Sequence, residues 1–119
     1  MSTYNTISLL GQQSPGATSD TVLIDCTATY SVVVSSIVVC NYSETTADEF
    51  IICAGLCSGA TSTATALYWK VSVPPKDTFV ATIGITLAND SAGGSIVAQS
   101  TNGTLTYSVF GQVVPGVAQ

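Results

Sequence analysis

Apolar and hydroxyl residues alternate along several short segments of the chain, most clearly over residues 78–87. There every odd-numbered residue is apolar, and threonine occupies three of the five even-numbered positions. A period of two residues is typical of a β-strand with one buried face. Two further segments repeat this period. Residues 66–73 place on one face Leu67, Trp69, Val71 and Val73, and residues 104–110 place on one face Leu105, Tyr107 and Val109. The pattern predicts an all-β chain whose exposed faces carry neutral hydroxyls.

The longest predicted strand, Tyr30–Tyr42, is apolar on both faces. Strict alternation places Val32, Val34, Val38, Cys40 and Tyr42 on one face, and Val33, Ile37 and Val39 on the other. A strand that is apolar on both faces is expected to be covered on both. Since one face of a small sandwich should meet solvent, the second face is a candidate contact with another subunit.

Turn signals separate the predicted strands. Pro74–Asp77 is expected to join two antiparallel neighbours, because proline fixes φ and removes a donor from the ladder. Thr101-Asn102-Gly103 predicts a hairpin between the strands on either side of it. With shorter strands predicted at residues 21–25, 50–54 and 96–100, the chain has seven or eight strands and no substantial helix. We expect an antiparallel β-sandwich, jelly-roll-like in form.

A chain of 119 residues fits one domain. Residues 1–20 contain few apolar positions and predict an extended N-terminal arm or edge segment. Residues 21–114 then form the β-sandwich domain, and residues 115–119 a C-terminal tail. Neither a secretory signal nor a membrane-spanning stretch is recognisable in the sequence.

The charge balance argues against two classes of partner. The chain has 2 Lys and Arg against 7 Asp and Glu, a formal net charge of −5. Nucleic acid and anionic membranes are bound largely through Lys and Arg, so neither is expected here.

Catalytic chemistry is also not expected. The chain contains no histidine, and nearly all of its acidic residues fall in predicted turns. General-base and nucleophilic mechanisms need a partnered base that this sequence does not offer. We therefore predict no enzyme activity, no cofactor and no metal site.

Four cysteines leave their chemistry open. Cys26, Cys40, Cys53 and Cys57 are compatible with free thiols in the core, with one or two disulfides, or with zinc. Free thiols are favoured because Cys40 and Cys53 lie within apolar runs. Zinc binding is the least favoured interpretation, because no histidine completes a ligand set.

Aromatic residues offer a candidate binding surface. Trp69 shares the apolar face of its strand and is expected in the core, whereas Tyr68 and Phe110 fall on the opposite faces and are candidate contacts. If Tyr68 or Phe110 stands exposed beside polar groups in a groove, the chain is a carbohydrate- or receptor-binding module instead.

Several short motifs, in the same order along the chain, resemble small all-β virion proteins of tailed bacteriophages, notably of cyanophage-like viruses. These proteins decorate or cement the capsid. The motifs are Leu10-Gly11-Gln12, residues 34–41 (VSSIVVCN), Asp77-Thr78-Phe79, residues 84–87 (GITL) and Val109-Phe110-Gly111.

The resemblance implies a jelly-roll-like subunit, a homotrimer, that binds the major capsid protein on the outer surface of the shell and is assembled in the host cytoplasm. The alternative within the same class is a tail, neck or head-fibre component of a virion. The candidate subunit or capsid contacts are Tyr4, Ile7, Leu9, Val33, Ile37, Tyr68 and Phe110.

Overall fold

The computed structural model describes residues 8–26, 30–55, 61–87 and 94–115 of the chain. These residues form eight strands, in agreement with the predicted all-β class. The strands are β1 (Ser8–Gln13), β2 (Thr21–Cys26), β3 (Tyr30–Asn41), β4 (Asp48–Gly55), β5 (Ala66–Val73), β6 (Thr78–Leu87), β7 (Gly94–Ser100) and β8 (Leu105–Pro115). Thr63–Thr65 forms one short 3-10 turn before β5.

The strands form two four-stranded antiparallel sheets. Sheet 1 has the order β1-β8-β3-β6, and sheet 2 has the order β2-β7-β4-β5. Consecutive strands lie in opposite sheets except β4 and β5, which are neighbours in sheet 2. This is the strand order of an eight-stranded jelly roll, in which two Greek keys close a sandwich.

The structure describes parts of the predicted arm and of the end of the sandwich domain. Ser8–Gln13 is an edge strand of sheet 1, paired with β8, so this part of the arm belongs to the sandwich. Strand β8 continues to Pro115 beside β3. The remaining parts, residues 1–7 and 116–119, lie outside the described residues.

Two pairing predictions are wrong. The Pro74–Asp77 turn joins β5 of sheet 2 to β6 of sheet 1, and the turn at residues 101–103 joins β7 of sheet 2 to β8 of sheet 1. Both turns reverse the chain as predicted, but each crosses from one sheet to the other. Backbone hydrogen bonds hold the first crossing against the β3–β4 connection: the Lys76 amide donates to the Ser43 carbonyl and the Asn41 amide to the Asp77 carbonyl.

The core lies between the inner faces of the two sheets. Its largest fully buried side chains are Tyr107 and Phe50. The Phe50 ring centre lies 5.2 Å from that of Phe79 and 6.4 Å from that of Tyr107, the latter edge-on, as aromatic pairs in cores prefer. Burial raises the pKa of the Tyr107 hydroxyl above its ordinary value, so the group stays neutral in the core.

A β-bulge in the middle of β3 changes which side chains face the core. Pairing with both neighbouring strands shifts between Val34 and Ser36. An extra residue in a strand turns every later side chain to the other face. Val34 and Ile37 therefore both point inward and are 0% exposed. The predicted outward position of Ile37 is wrong, and Val38 faces outward instead.

A cluster of buried polar groups closes one end of the sandwich. Asp48 is 1% exposed. One carboxylate oxygen accepts from the amides of Glu49 (2.7 Å) and Asn102 (2.8 Å), and the other from the amide and hydroxyl of Thr104, both at 3.0 Å. Asn41 joins the cluster at the Thr104 hydroxyl, which lies 2.9 Å from the Asn41 Oδ1. The Asn41 Nδ2 donates to the carbonyls of Thr46 and Val73, both at 3.0 Å. The cluster ties β4 of sheet 2 to the start of β8 in sheet 1.

Substitution of Ile37 tests the bulge. Ile37→Ala removes packed methyl groups from the core and is expected to lower the free energy of unfolding by about 2–5 kcal/mol. Val38→Ala, one residue further on the outer face, is expected to cost about 1 kcal/mol or less. Denaturant unfolding of both variants measures the difference, and a larger cost for Val38→Ala would show that the faces are reversed.

Substitution of Asp48 tests the polar cluster. In Asp48→Asn one oxygen becomes an amino group that faces donors, so we expect a loss of about 2–4 kcal/mol in unfolding free energy. Glu49→Gln makes the same chemical change at the adjacent, exposed position and should change stability by about 0.5 kcal/mol at most. Equal melting temperatures for the two variants would contradict a structural role for the carboxylate.

Candidate interaction surface

The outer face of sheet 1 is built from uncharged residues. None of the residues in β1, β8, β3 and β6 is Asp, Glu, Lys or Arg. The charged residues that the structure describes lie in sheet 2 or in connections: Asp20, Asp25, Glu44, Asp48, Glu49, Lys70, Lys76 and Asp77. We call the outward-facing residues of sheet 1 the uncharged face. A partner can cover it without removing an ionised group from water, which would be costly.

An apolar stripe crosses the uncharged face. Leu9 on edge strand β1 pairs with Phe110 on β8, and Val38 on β3 pairs with Val80 on the opposite edge strand, β6. Phe110 also pairs with Ser36, which brings the two apolar pairs next to each other. Leu9 is 49% exposed and Val80 is 56% exposed. Phe110 and Val38 are diagonal neighbours on β8 and β3, a separation that an aromatic side chain can bridge, so the two pairs form one stripe.

Hydroxyl and amide groups border the stripe. Gln12 on β1 donates from Nε2 to the Ser108 hydroxyl on β8 at 2.9 Å, across the same face. Ser35, the extra residue of the β3 bulge, donates from its hydroxyl to the Phe110 carbonyl at 3.2 Å. The border is therefore polar but uncharged, and its groups are held in place by hydrogen bonds within sheet 1.

The predicted contact residues divide between the surface, the core and the undescribed segments. Leu9, Val33 and Phe110 lie on the uncharged face, exposed or half-buried, and their role as contacts stays a prediction. Ile37 is in the core. Tyr4 and Ile7 lie outside the described residues.

Tyr68 faces inward, contrary to the prediction. Its ring centre lies 6.0 Å from that of Phe50 and 5.6 Å from that of Phe79. The reason is a break in β5 at Lys70, which has a left-handed φ of 55° beside a register shift in the β4–β5 pairing. The break lets Tyr68 and Val71 both point inward, although strict alternation would place residues 68 and 71 on opposite faces.

The same break exposes two residues that sequence reasoning placed in the core. Leu67 is 42% exposed and Trp69 is 43% exposed, on the outer face of sheet 2. No sequence signal marks the break, because lysine is not a residue that favours positive φ. These two side chains form a second, smaller apolar surface, in a sheet that also carries charge.

Asp20 and Cys53 have hydrogen-bond partners within the chain. Asp20 accepts from the Thr61 hydroxyl and from Gln99 Nε2, both at 2.8 Å. Cys53 is buried, and its thiol exchanges hydrogen bonds with the backbone of Ser62 at 3.3 and 3.4 Å. Cys40 and Cys53 are both free thiols.

Neither a metal cluster nor a membrane helix is found in what the structure describes. No three Cys, Asp or Glu side chains among residues 8–26, 30–55, 61–87 and 94–115 come together as a metal site. Within the same ranges, no helix has the length and apolarity needed to span a membrane.

Comparison with known proteins relates the fold to a viral particle. No family model matches the chain, and no curated protein matches it. Among solved structures, the chain is similar to a chain of the T13 IBDV viral particle, an icosahedral virus, with a TM-score of 0.53 and 8% sequence identity. The match covers 93% of this chain and 31% of that chain. At this identity the likeness shows the fold alone: a jelly roll of the kind present in a viral particle.

Proposed function

We propose that the chain is a structural protein of a virion. In its specific form, it is a capsid decoration or cement protein that binds the outer surface of the major capsid protein shell and stabilises it. It acts as a homotrimer, as the phage resemblance implies, and has no catalytic role.

The observation that carries the proposal is the fold. A sandwich with the same architecture, matching 93% of this chain, occurs in a chain of an icosahedral viral particle. Jelly rolls are also found in lectins and cupins, so the fold by itself allows other functions. The sequence resemblance to phage virion proteins is an independent reason to choose the virion among them.

The uncharged face supports attachment to a shell. Its apolar stripe and hydroxyl border can be covered without desolvating a charge. Attachment at many equivalent positions does not need a tight single contact, because the contacts of a linked assembly reinforce one another. We assign this face, with Leu9 and Phe110 at its β1 end, to the contact with the shell.

The copy number of the chain relative to the major capsid protein in purified virions tests the proposal. We expect a ratio of one or a simple fraction of it, measured by quantitative mass spectrometry, because a cement protein covers the whole shell. A ratio of a few per cent would move the protein to a tail, neck or fibre. Absence from particles would overturn the virion role.

Two leucine substitutions test the assignment of the face. Leu9→Lys places a charge on the uncharged face. It should lower the affinity with which the protein rebinds to particles stripped of it by at least about tenfold, because the contact would have to remove that charge from water. Leu67→Lys introduces the same charge on sheet 2 at a similarly exposed position, 42% against 49%, and should rebind normally. If Leu67→Lys alone lost binding, sheet 2 would be the face that meets the shell.

A further inference from the structure

The sandwich has four edge strands, β1 and β6 in sheet 1 and β2 and β5 in sheet 2. An edge strand offers unpaired amides and carbonyls to another chain, and proteins normally protect such edges with bulges, charges, proline or short length. Three of the four edges here carry such protection. β1 and β2 have 6 residues each and a register shift, β2 also contains Asp25, and β5 is broken at Lys70.

Strand β6 lacks charge and proline. It has 10 residues, Thr78–Leu87, and contains neither. Its pairing with β3 is regular from Thr78 to Thr82, and the only shift lies further along, before Ile85. On its other side no strand of the described chain is paired with it. The first half of β6 is therefore a straight edge with the features of a strand that adds to another sheet.

Of the large apolar side chains in the described chain, the most exposed lies on this edge. Val80 is 56% exposed, on the uncharged face, in the middle of the regular segment. Thr78 and Thr82, two residues away on either side, are exposed as well. A threonine–valine–threonine row favours β-structure and gives a neighbouring strand both apolar and hydroxyl partners.

We propose that β6 pairs in antiparallel fashion with β6 of a second copy of this chain, about a two-fold axis at the regular segment. The pairing joins two copies of sheet 1 into one eight-stranded sheet and makes their two uncharged faces continuous. A two-fold contact is self-complementary, since each copy presents the same strand to the other.

The distribution of charge permits a second copy as the occupant. Each chain carries a formal net charge of −5, so two copies can meet closely only where neither presents charge. The charged residues nearest to the segment, Lys76 and Asp77, precede β6 at one end. Antiparallel pairing places the two copies of Asp77 at opposite ends, about 20 Å or more apart at ~3.3 Å per residue. That separation exceeds the screening length of about 10 Å in 0.1 M salt.

This pairing does not depend on the proposed virion function. In a shell that carries trimers of this chain, the β6 pairing would connect a subunit of one trimer to a subunit of the next. A two-fold contact cannot close a three-fold ring, so it cannot be the contact within the trimer. The purified chain alone is sufficient to test it.

The first test compares the masses of three chains by light scattering at matched concentration. Val80→Lys places a charge on the edge, as natural edge strands do, and is expected to lower the mass of the wild-type assembly by a factor of two or more. Val22→Lys, on edge strand β2 of the other sheet, is the matched control and should keep the wild-type mass. Thermal unfolding checks that both variants fold. Equal masses for the wild type and a folded Val80→Lys would overturn the proposal.

The second test is covalent. Val80→Cys is prepared in a Cys40→Ser background, because Cys40 is a free thiol on the adjacent strand. A short bis-maleimide should give covalent dimers and no larger product, since each copy contributes one β6. The Cys40→Ser parent and a Val22→Cys variant in the same background are the controls. Absence of the dimer, or equal dimer from Val22→Cys, would contradict pairing through β6.

Discussion

The buried carboxylate of Asp48 is the interaction on which the closed end of the sandwich depends. A jelly roll passes its chain repeatedly from one sheet to the other, and such a crossing has no ladder of its own to hold it. Here the carboxylate accepts the amides of Asn102 and Thr104 from the crossing between β7 and β8, while it belongs to β4. Because its charge is met by backbone amides and a hydroxyl, the two sheets are joined without a lysine or arginine at this end.

The choice of amides as partners fits a wider distribution of charge. Sheet 2 and the connections hold the described charged residues, and sheet 1 holds none. A chain with little charge can thus keep one broad surface neutral and still carry enough net charge to repel unwanted association. The two sheets consequently differ in character: the strands of sheet 1 present no charge, and sheet 2 carries charged side chains.

The positions of the strands could be predicted from the sequence, but their partners could not. The two-residue period placed β5 and β6 at their observed bounds, because the alternation depends only on residues that are adjacent in the sequence. Face assignments failed after the bulge in β3 and the break at Lys70, because one inserted residue reverses the inside and outside of all that follow. The turns at residues 74–77 and 101–103 show the other limit: a turn sequence encodes a reversal, and the packing of distant strands decides in which sheet the chain continues.

The same limit explains what could be recognised of the candidate surface. Leu9 was predicted as a contact from its place in the N-terminal arm. Val33 and Phe110 were assigned to an outer face by the two-residue period, and that assignment holds because Val33 precedes the bulge and the pairing of β8 shifts only at the β3 bulge. Val80 was not among the predicted contacts, although its position on the hydroxyl face of β6 was visible in the sequence. Its significance comes from β6 being an edge, which depends on the pairing of β3 with β8 far along the chain.

The central place of β8 in sheet 1 has a consequence for how the chain is made. β8 is the eighth strand in sequence, yet it lies between β1 and β3 and is the only partner of β1 among the named strands. During synthesis, β1 and β3 emerge first and have to wait for nearly the whole chain before sheet 1 can be completed. Contacts of such long sequence separation make folding slow. Strand β1 therefore stays unpaired until β8 has been made, although β3 can pair with β6 before then, and sheet 1 is the second of the two sheets to be completed.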